Sequence, residues 1–174
     1  MGSMSWVLVL LSTAVSGAVL LKVLPAVVAA TLIACVAALA VLAVWDVRTH
    51  RLPNVATLTL SAAGIAATGA LLIAGQTPSI WPAMAGFAGF GALGFLEALP
   101  QDSLGGGDVK LLAAVGAWTG LLGWSALLPT VLCTHLVMLA ALAVGRARIP
   151  GRVVLGPAVA AGTVVSWVLV GLAA

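Results

Sequence analysis

The chain has 174 residues, the length of one domain, of which 63% are hydrophobic and only 6% charged, and its mean hydropathy is +1.28. Seven Lys/Arg and four Asp/Glu cannot cover a soluble surface, which normally carries about a quarter to a third charged residues. A soluble domain is thereby excluded. The net charge of +3 does not point to nucleic acid either, because the few basic residues sit in separate loops.

An α-helix needs about 20 apolar residues to cross a bilayer. Met1-Gly2-Ser3 reads as a cloning remnant, and the first predicted span is then Met4–Leu21, closed by Lys22. The second runs from Val23 to Trp45, with Pro25 in its first turn, where a missing N–H does least harm. A polar stretch follows, Asp46-Val47-Arg48-Thr49-His50-Arg51-Leu52-Pro53-Asn54. From Leu52 to Leu96 there is no charge, and the turn residues Gly75-Gln76-Thr77-Pro78 divide this run into spans Val55–Ala74 and Ile80–Leu99. Asn54 is placed to cap the third span. The fourth is rich in small residues (Gly86, Gly89, Gly91, Gly94), which let helix backbones pack closely in lipid.

After the loop Pro100–Gly107, the next apolar run predicts a hairpin of Asp108–Leu121 and Trp124–Val144, broken at Gly120–Gly123. A basic loop with Arg146, Arg148 and Arg152 precedes a last span, Val154–Leu172. The expected fold is therefore all-α, a single polytopic membrane domain over residues 1–174 with six or seven transmembrane helices. Arg48, Arg51, Lys110, Arg146, Arg148 and Arg152 fall in alternate loops, and the opposite loops hold only Lys22. The positive-inside rule puts the basic loops in the cytoplasm, together with Asp46, Glu97, Asp102 and Asp108.

A carboxylate next to hydrocarbon costs on the order of 2.5–3.5 kcal/mol on insertion scales, so it normally has a function. Asp46 ends one predicted helix and Asp108 opens another, on the same side of the membrane. Two aspartates meeting there share one proton, because adjacent like charges do not both ionise easily. One can activate water while the other protonates a carbonyl oxygen. Asp108 at a helix N-terminus is expected to be the readier anion and Asp46 at a helix C-terminus the less ready one. Gly105, Gly106 and Gly107 before Asp108 fit a close approach of substrate backbone, or a positive φ. Lys110 can bias the pair, touch substrate, or snorkel to the interface. The alternative is a small ion-coupled transporter using both aspartates as a cation or proton site. Such a site belongs at the midplane, on interrupted helices in repeated halves, and no repeat is visible.

Other polar residues read more plainly. Cys35 and Cys133 are buried small hydrophobes, with no CxxC and no Cys/His cluster to suggest zinc. His135, mid-span, is expected to hydrogen-bond a neighbouring helix. His50 reads as a cytoplasmic loop residue, and Glu97 and Asp102 as a solvated loop face, the alternative being an attraction for a basic substrate segment. Trp45, Trp81 and Trp124 stand near span ends, as interfacial anchors do.

The nine residues from Asp46 to Asn54 resemble the first motif of the type IV prepilin peptidases, and Gly105-Gly106-Gly107-Asp108-Val109-Lys110-Leu111 resembles their second, the GxGD signature. Val154-Leu155-Gly156-Pro157-Ala158 is similar to a degenerate form of the proline-containing segment before that family's last helix. The resemblance implies an aspartic endopeptidase at the cytoplasmic face of the inner membrane, free of metal and cofactor, with Asp46 and Asp108 catalytic. It implies a prepilin or pseudopilin as substrate, the lipid bilayer and the pilus assembly or secretion machinery as partners, and no nucleic acid. The paired-cysteine segment that long members link to N-methylation is missing, so the chain resembles the short, peptidase-only form of Flp/Tad systems. The presenilin branch of GxGD proteases has a tyrosine where Trp45 stands, and is the poorer match.

Overall fold

The computed structural model describes residues 26–49, 51–76, 79–99, 105–143, 148–149, 152–153 and 155–173. The predicted first span, His50 and Asp102 lie outside them.

Among the described residues six α-helices follow one another: α1 Ala26–Thr49, α2 Asn54–Ile73, α3 Trp81–Ala98, α4 Gly106–Thr119, α5 Trp124–Ala143 and α6 Gly156–Ala173. A 3-10 turn, Gly120–Leu122, continues α4, and Gly123 at φ 93° starts the reversal into α5. Two two-residue strands, Arg148–Ile149 and Arg152–Val153, pair antiparallel between α5 and α6. Among the described residues four segments are long and apolar enough to cross a membrane: Ala26–Thr49, Asn54–Ile73, Trp124–Ala141 and Gly156–Ala173. Apart from that two-residue ladder the described residues are helical, and the chain is a polytopic membrane protein of the all-α class.

The helix ends follow local chemistry. Past Trp45, α1 continues through Asp46 to Thr49, with Arg48 in its last turn opposite the negative end of the dipole. Thr49 Oγ1 donates to the carbonyl of Trp45. Asp46 therefore lies inside the helix's last turn and does not end it. The helix cannot run through Leu52, because Pro53 disfavours the α conformation in the residue before it. α2 begins at Asn54, with Pro53 in the N-cap position and no side-chain cap. The expected Asn54 cap is thus incorrect. At the other end of α2, Gly75 takes φ 69° and Gln76 N donates to Leu71 O at 2.8 Å, the glycine closure of a helix C-terminus.

α4 is the centre. It has 14 residues, and from Leu111 to Leu121 every residue is buried, the all-round apolarity of a helix enclosed by others. α3 packs antiparallel against it through glycines: a Cβ on Gly86 would strike the Gly116 carbonyl, and one on Gly116 the Gly86 carbonyl. Gly94 faces Val109 and Leu112, and Gly91 faces Ala113, but Gly89 meets nothing within 4 Å. Three of the four glycines in the small-residue face are used, as packing without a hydrophobic force requires.

Polar side chains tie the other helices in. Trp118 Nε1 donates to Leu60 O at 2.8 Å, Trp167 Nε1 donates to Thr119 Oγ1 at 3.0 Å, and the hydroxyls of Thr130 and Ser166 lie 2.8 Å apart. Leu128, Leu132, Leu136 and Leu139 form an exposed stripe on α5, suited to lipid.

These pairings fix direction. α2 and α4 run parallel, since Asn54 meets Lys110 and Leu60 meets Trp118. α6 runs the same way, with Gly156 at Asp46 and Trp167 at Thr119. One face of the bundle thus gathers the end of α1 and the starts of α2, α4 and α6.

Candidate functional site

That face holds both aspartates. Asp46 comes from the last turn of α1 and Asp108 from the first turn of α4; they are 5% and 8% exposed. Each carboxylate accepts a backbone N–H at the start of a helix. Asp108 Oδ2 takes the Gly105 N–H at 3.0 Å, reaching back from the third helical position to the residue that caps α4. Asp46 Oδ2 takes the N–H of Gly156, the first residue of α6, at 2.9 Å.

Asp108 lies outside the four membrane-length helices, beside the loop that leads into α4. Its pKa is raised from 3.8 to about 6: burial pushes it up most, the Gly105 N–H pulls it back, and the charge of Asp46 adds to the rise. The two carboxylates therefore feel one another. At Asp108 burial thus outweighs the N–H donor, so a helix N-terminus does not by itself make a ready anion. Helix position does not separate the two residues either, because Asp46 also sits on a helix N-terminus, that of α6.

The glycine run is built differently from the sequence expectation. Gly105 has φ −75° and ψ 149°, and among the described residues only Gly75 and Gly123 have positive φ. Gly106 has open space around its missing Cβ. Gly107 does not: a Cβ there would lie 2.9 Å from Leu52 Cβ and 3.2 Å from Leu52 O. What approaches Gly107 is the chain's own first motif. Two residues on, Lys110 Nζ donates to Asn54 Oδ1 at 2.9 Å. The two motifs are thus clamped together, by Leu52 on Gly107 and by Asn54 on Lys110, and the lysine points to an amide rather than to either aspartate.

The remaining sequence-selected residues are apart from this face or paired elsewhere. His135 Nε2 lies 2.6 Å from Glu97 Oε1, and its Nδ1 donates to Val131 O at 2.7 Å. His135 does bond a neighbouring helix, as expected. Glu97, expected in a solvated loop, instead stands in the last turn of α3 and holds that histidine. Cys35 is buried and Cys133 half-buried; both are free thiols. Among the described residues no three His, Cys, Asp or Glu side chains converge as metal ligands would.

Sequence reading missed Gly156 as a partner of Asp46 and Leu52 as a partner of Gly107. The Gly-Pro pair at the start of α6 was the available signal: Pro157 has no N–H to give, and a first-turn glycine exposes its own.

Comparison with known proteins agrees with the pair of motifs. The prepilin leader peptidase/N-methyltransferase of Pectobacterium carotovorum subsp. carotovorum is 39% identical over 106 residues, covering 60% of this chain and 35% of that protein. That of Dickeya chrysanthemi is 37% identical over 109 residues, 62% of this chain and 38% of that protein. The leader peptidase HopD of Salmonella typhimurium is 37% identical over 79 residues, 44% of this chain and 51% of that protein. The chain thus spans between about a third and a half of the length of the curated relatives it matches. No solved structure matches it. The profile of the Type IV leader peptidase family matches residues 33–145, a stretch that takes in Asp46, the Leu52–Gly107 and Asn54–Lys110 contacts and Asp108, and the chain belongs to that family.

Proposed function

We propose that the chain is an aspartic endopeptidase that removes the basic leader of a prepilin-like protein, at the cytoplasmic face of the inner membrane. The observation that carries this reading is the pair of buried, electrostatically coupled carboxylates on two helices, each held by a helix-start N–H. Two such groups sharing one proton have what amide hydrolysis needs. The ionised carboxylate takes a proton from water as its oxygen attacks the scissile carbonyl carbon. The protonated one gives its proton to the carbonyl oxygen, forming a gem-diol. Collapse of the gem-diol breaks the C–N bond as the nitrogen is protonated. The products are a leader ending in a carboxylate and a trimmed protein with a new amino terminus. Asp46 and Asp108 are the catalytic residues in this scheme, and no cofactor takes part.

Position supports a cytoplasmic substrate. Arg48, Arg51 and Lys110 lie on the same face as the aspartates, and that excess of positive charge belongs inside. The apolar helix that follows a prepilin leader can remain in the bilayer while the cleavage point reaches the face of the bundle. Pilus assembly or secretion machinery would receive the product. The transporter alternative finds no support in the family membership.

The test is cleavage of a prepilin-type substrate in membranes. Asp46→Asn and Asp108→Asn should each lower the initial rate at least a hundredfold, with insertion unchanged. An Asp46→Asn protein that processes substrate at near wild-type rate refutes the proposal.

A further inference from the structure

The contact between Gly156 and Asp46 joins residues 110 positions apart, in a buried setting, and its geometry is demanding. Gly156 N donates to Asp46 Oδ2 at 2.9 Å. A Cβ on Gly156 would lie 2.8 Å from that same oxygen, 3.0 Å from Asp46 Cβ and 3.3 Å from Cγ. The aspartate therefore rests directly on the Cα of Gly156, closer than any other residue type allows. Leu155 before it is 2% exposed and accepts the Val159 N–H at 2.9 Å, the first backbone bond of α6, so the turn that carries Gly156 is buried and closed. Pro157 offers no N–H, which leaves Gly156 as the donor turned toward α1. Below this turn α6 is locked to the bundle by Trp167 on Thr119 and Ser166 beside Thr130. The N–H thus reaches Asp46 on a rigid support.

We infer that Gly156 is a positioning residue for Asp46: its N–H and its bare Cα together fix the direction in which the Asp46 carboxylate faces Asp108. The inference rests on the peptidase reading above. A carboxylate that must take a proton from water works only within a narrow range of angles and distances, and the cost of misplacement falls on the chemical step. The opposite oxygen of Asp46 is thereby left in a defined direction whichever way the proton is shared. Substrate binding to the leader or to the apolar helix does not depend on this contact.

Two variants separate the donor from the space. Replacing the Leu155–Gly156 amide by an ester, with glycolic acid at position 156, removes the N–H and adds no atom against Asp46. Gly156→Ala keeps the N–H and adds the Cβ. Each should lower kcat roughly ten- to hundredfold, the scale of one lost hydrogen bond to a charged group, with KM within about twofold. Gly162→Ala is the packing control on the same helix, since its Cβ would strike the backbone of Thr134, far from the aspartates. It should lower the thermal midpoint while leaving kcat per folded enzyme unchanged. The substrate is a synthetic peptide with a basic leader joined to an apolar stretch, and wild type and Asp46→Asn are measured beside the variants. Wild-type kcat in the ester protein overturns the inference and leaves the peptidase reading standing. Full cleavage by Asp46→Asn overturns both. If Gly156→Ala does not fold, the ester protein decides alone.

Discussion

Gly106 and Gly107 are neighbours in the first turn of α4, yet they face different surroundings, and this makes them a matched pair. An added Cβ at Gly106 meets nothing within 4 Å; at Gly107 it lies 2.9 Å from Leu52 Cβ and 3.2 Å from Leu52 O. Ordinary carbon contacts are about 3.5–4.0 Å, so Gly107→Ala forces the Leu52 segment away by roughly half an ångström or more. The intrusion is against a Cβ and a backbone oxygen, neither of which can rotate aside. Overpacking of this kind costs about 1–3 kcal/mol, against which the gain of helix propensity from glycine to alanine is at most about 1 kcal/mol. Gly106→Ala receives the gain without the cost. The Leu52 segment connects Asp46 on α1 to α2, so the displacement is carried toward the proposed catalytic pair. A misplacement near an ångström costs on the order of a hundredfold in rate; half that distance predicts a loss of about tenfold for Gly107→Ala and none for Gly106→Ala. Initial cleavage rates in membranes, normalised to inserted protein, and thermal midpoints in detergent measure the two effects. Leu52→Gly removes one of the two clashing atoms and should partly restore Gly107→Ala in a double-mutant cycle. Equal behaviour of the Gly106 and Gly107 variants would refute the clamp of Leu52 on Gly107. Ala113, deeper in α4, is no neutral comparison, because it is buried against Gly91 of α3.

The Asn54–Lys110 bond predicts coupled losses: Asn54→Ala and Lys110→Ala should each lower activity a few-fold, and the double variant should be no worse than the poorer single one, as a double-mutant cycle of rates will read. The raised pKa of Asp108, pushed up in part by the charge of Asp46, predicts that kcat/KM falls as pH rises through about 6, as the pair loses its shared proton; a profile flat from pH 5 to 8 would contradict it. Stability has the same sign. A carboxyl whose pKa is higher folded than unfolded favours the fold below the unfolded value of 3.8, and that contribution disappears as pH rises through about 6. In a background lacking Cys35 and Cys133, single cysteines at His50, Ser103 and Ile149 should label only from the cytoplasm, and those at Thr77 and Ala174 only from the other side.

Much of this architecture is written in the linear sequence, because a membrane helix is set by its own composition. The turn at Gly75 and the break at Gly123 were legible for that reason: each needs a conformation that glycine takes at no cost. The misreadings concern contacts between distant segments. The predicted second span stops at Trp45, where charge begins, but Asp46, Val47, Arg48 and Thr49 remain helical. Asn54 has the composition of a cap, yet its side chain is taken by Lys110, 56 residues away. The glycines before Asp108 look like flexible backbone, while in the fold Gly107 is a space that Leu52 enters. Glu97 looks like a loop residue until His135, 38 positions on, is seen beside it. The two aspartates were legible as a pair because carboxylates are so rare in this chain. The donor on Asp46 was not, since a backbone N–H has no signature in a residue list.

The way these carboxylates are held bears on how a chain so poor in charge can keep them buried at all. A lysine or arginine set against Asp108 would meet the burial cost, but it would also hold the carboxylate firmly ionised and keep it from exchanging a proton. Lys110, two residues away, is turned to Asn54 instead. A single N–H from Gly105 offsets part of the cost of burial and leaves the pKa near 6, where proton exchange is possible close to neutral pH. Asp46 receives an N–H of the same kind from Gly156. Backbone donors at helix starts are fixed in place, add no net charge and need no room for a side chain. Two helix starts meeting on one face therefore each give one carboxylate a fixed donor, and at Asp108 the offset is partial, which is the degree that a shared proton requires. The glycines at 107 and 156 are the geometric condition for that meeting, because each removes the one atom that would hold the segments apart.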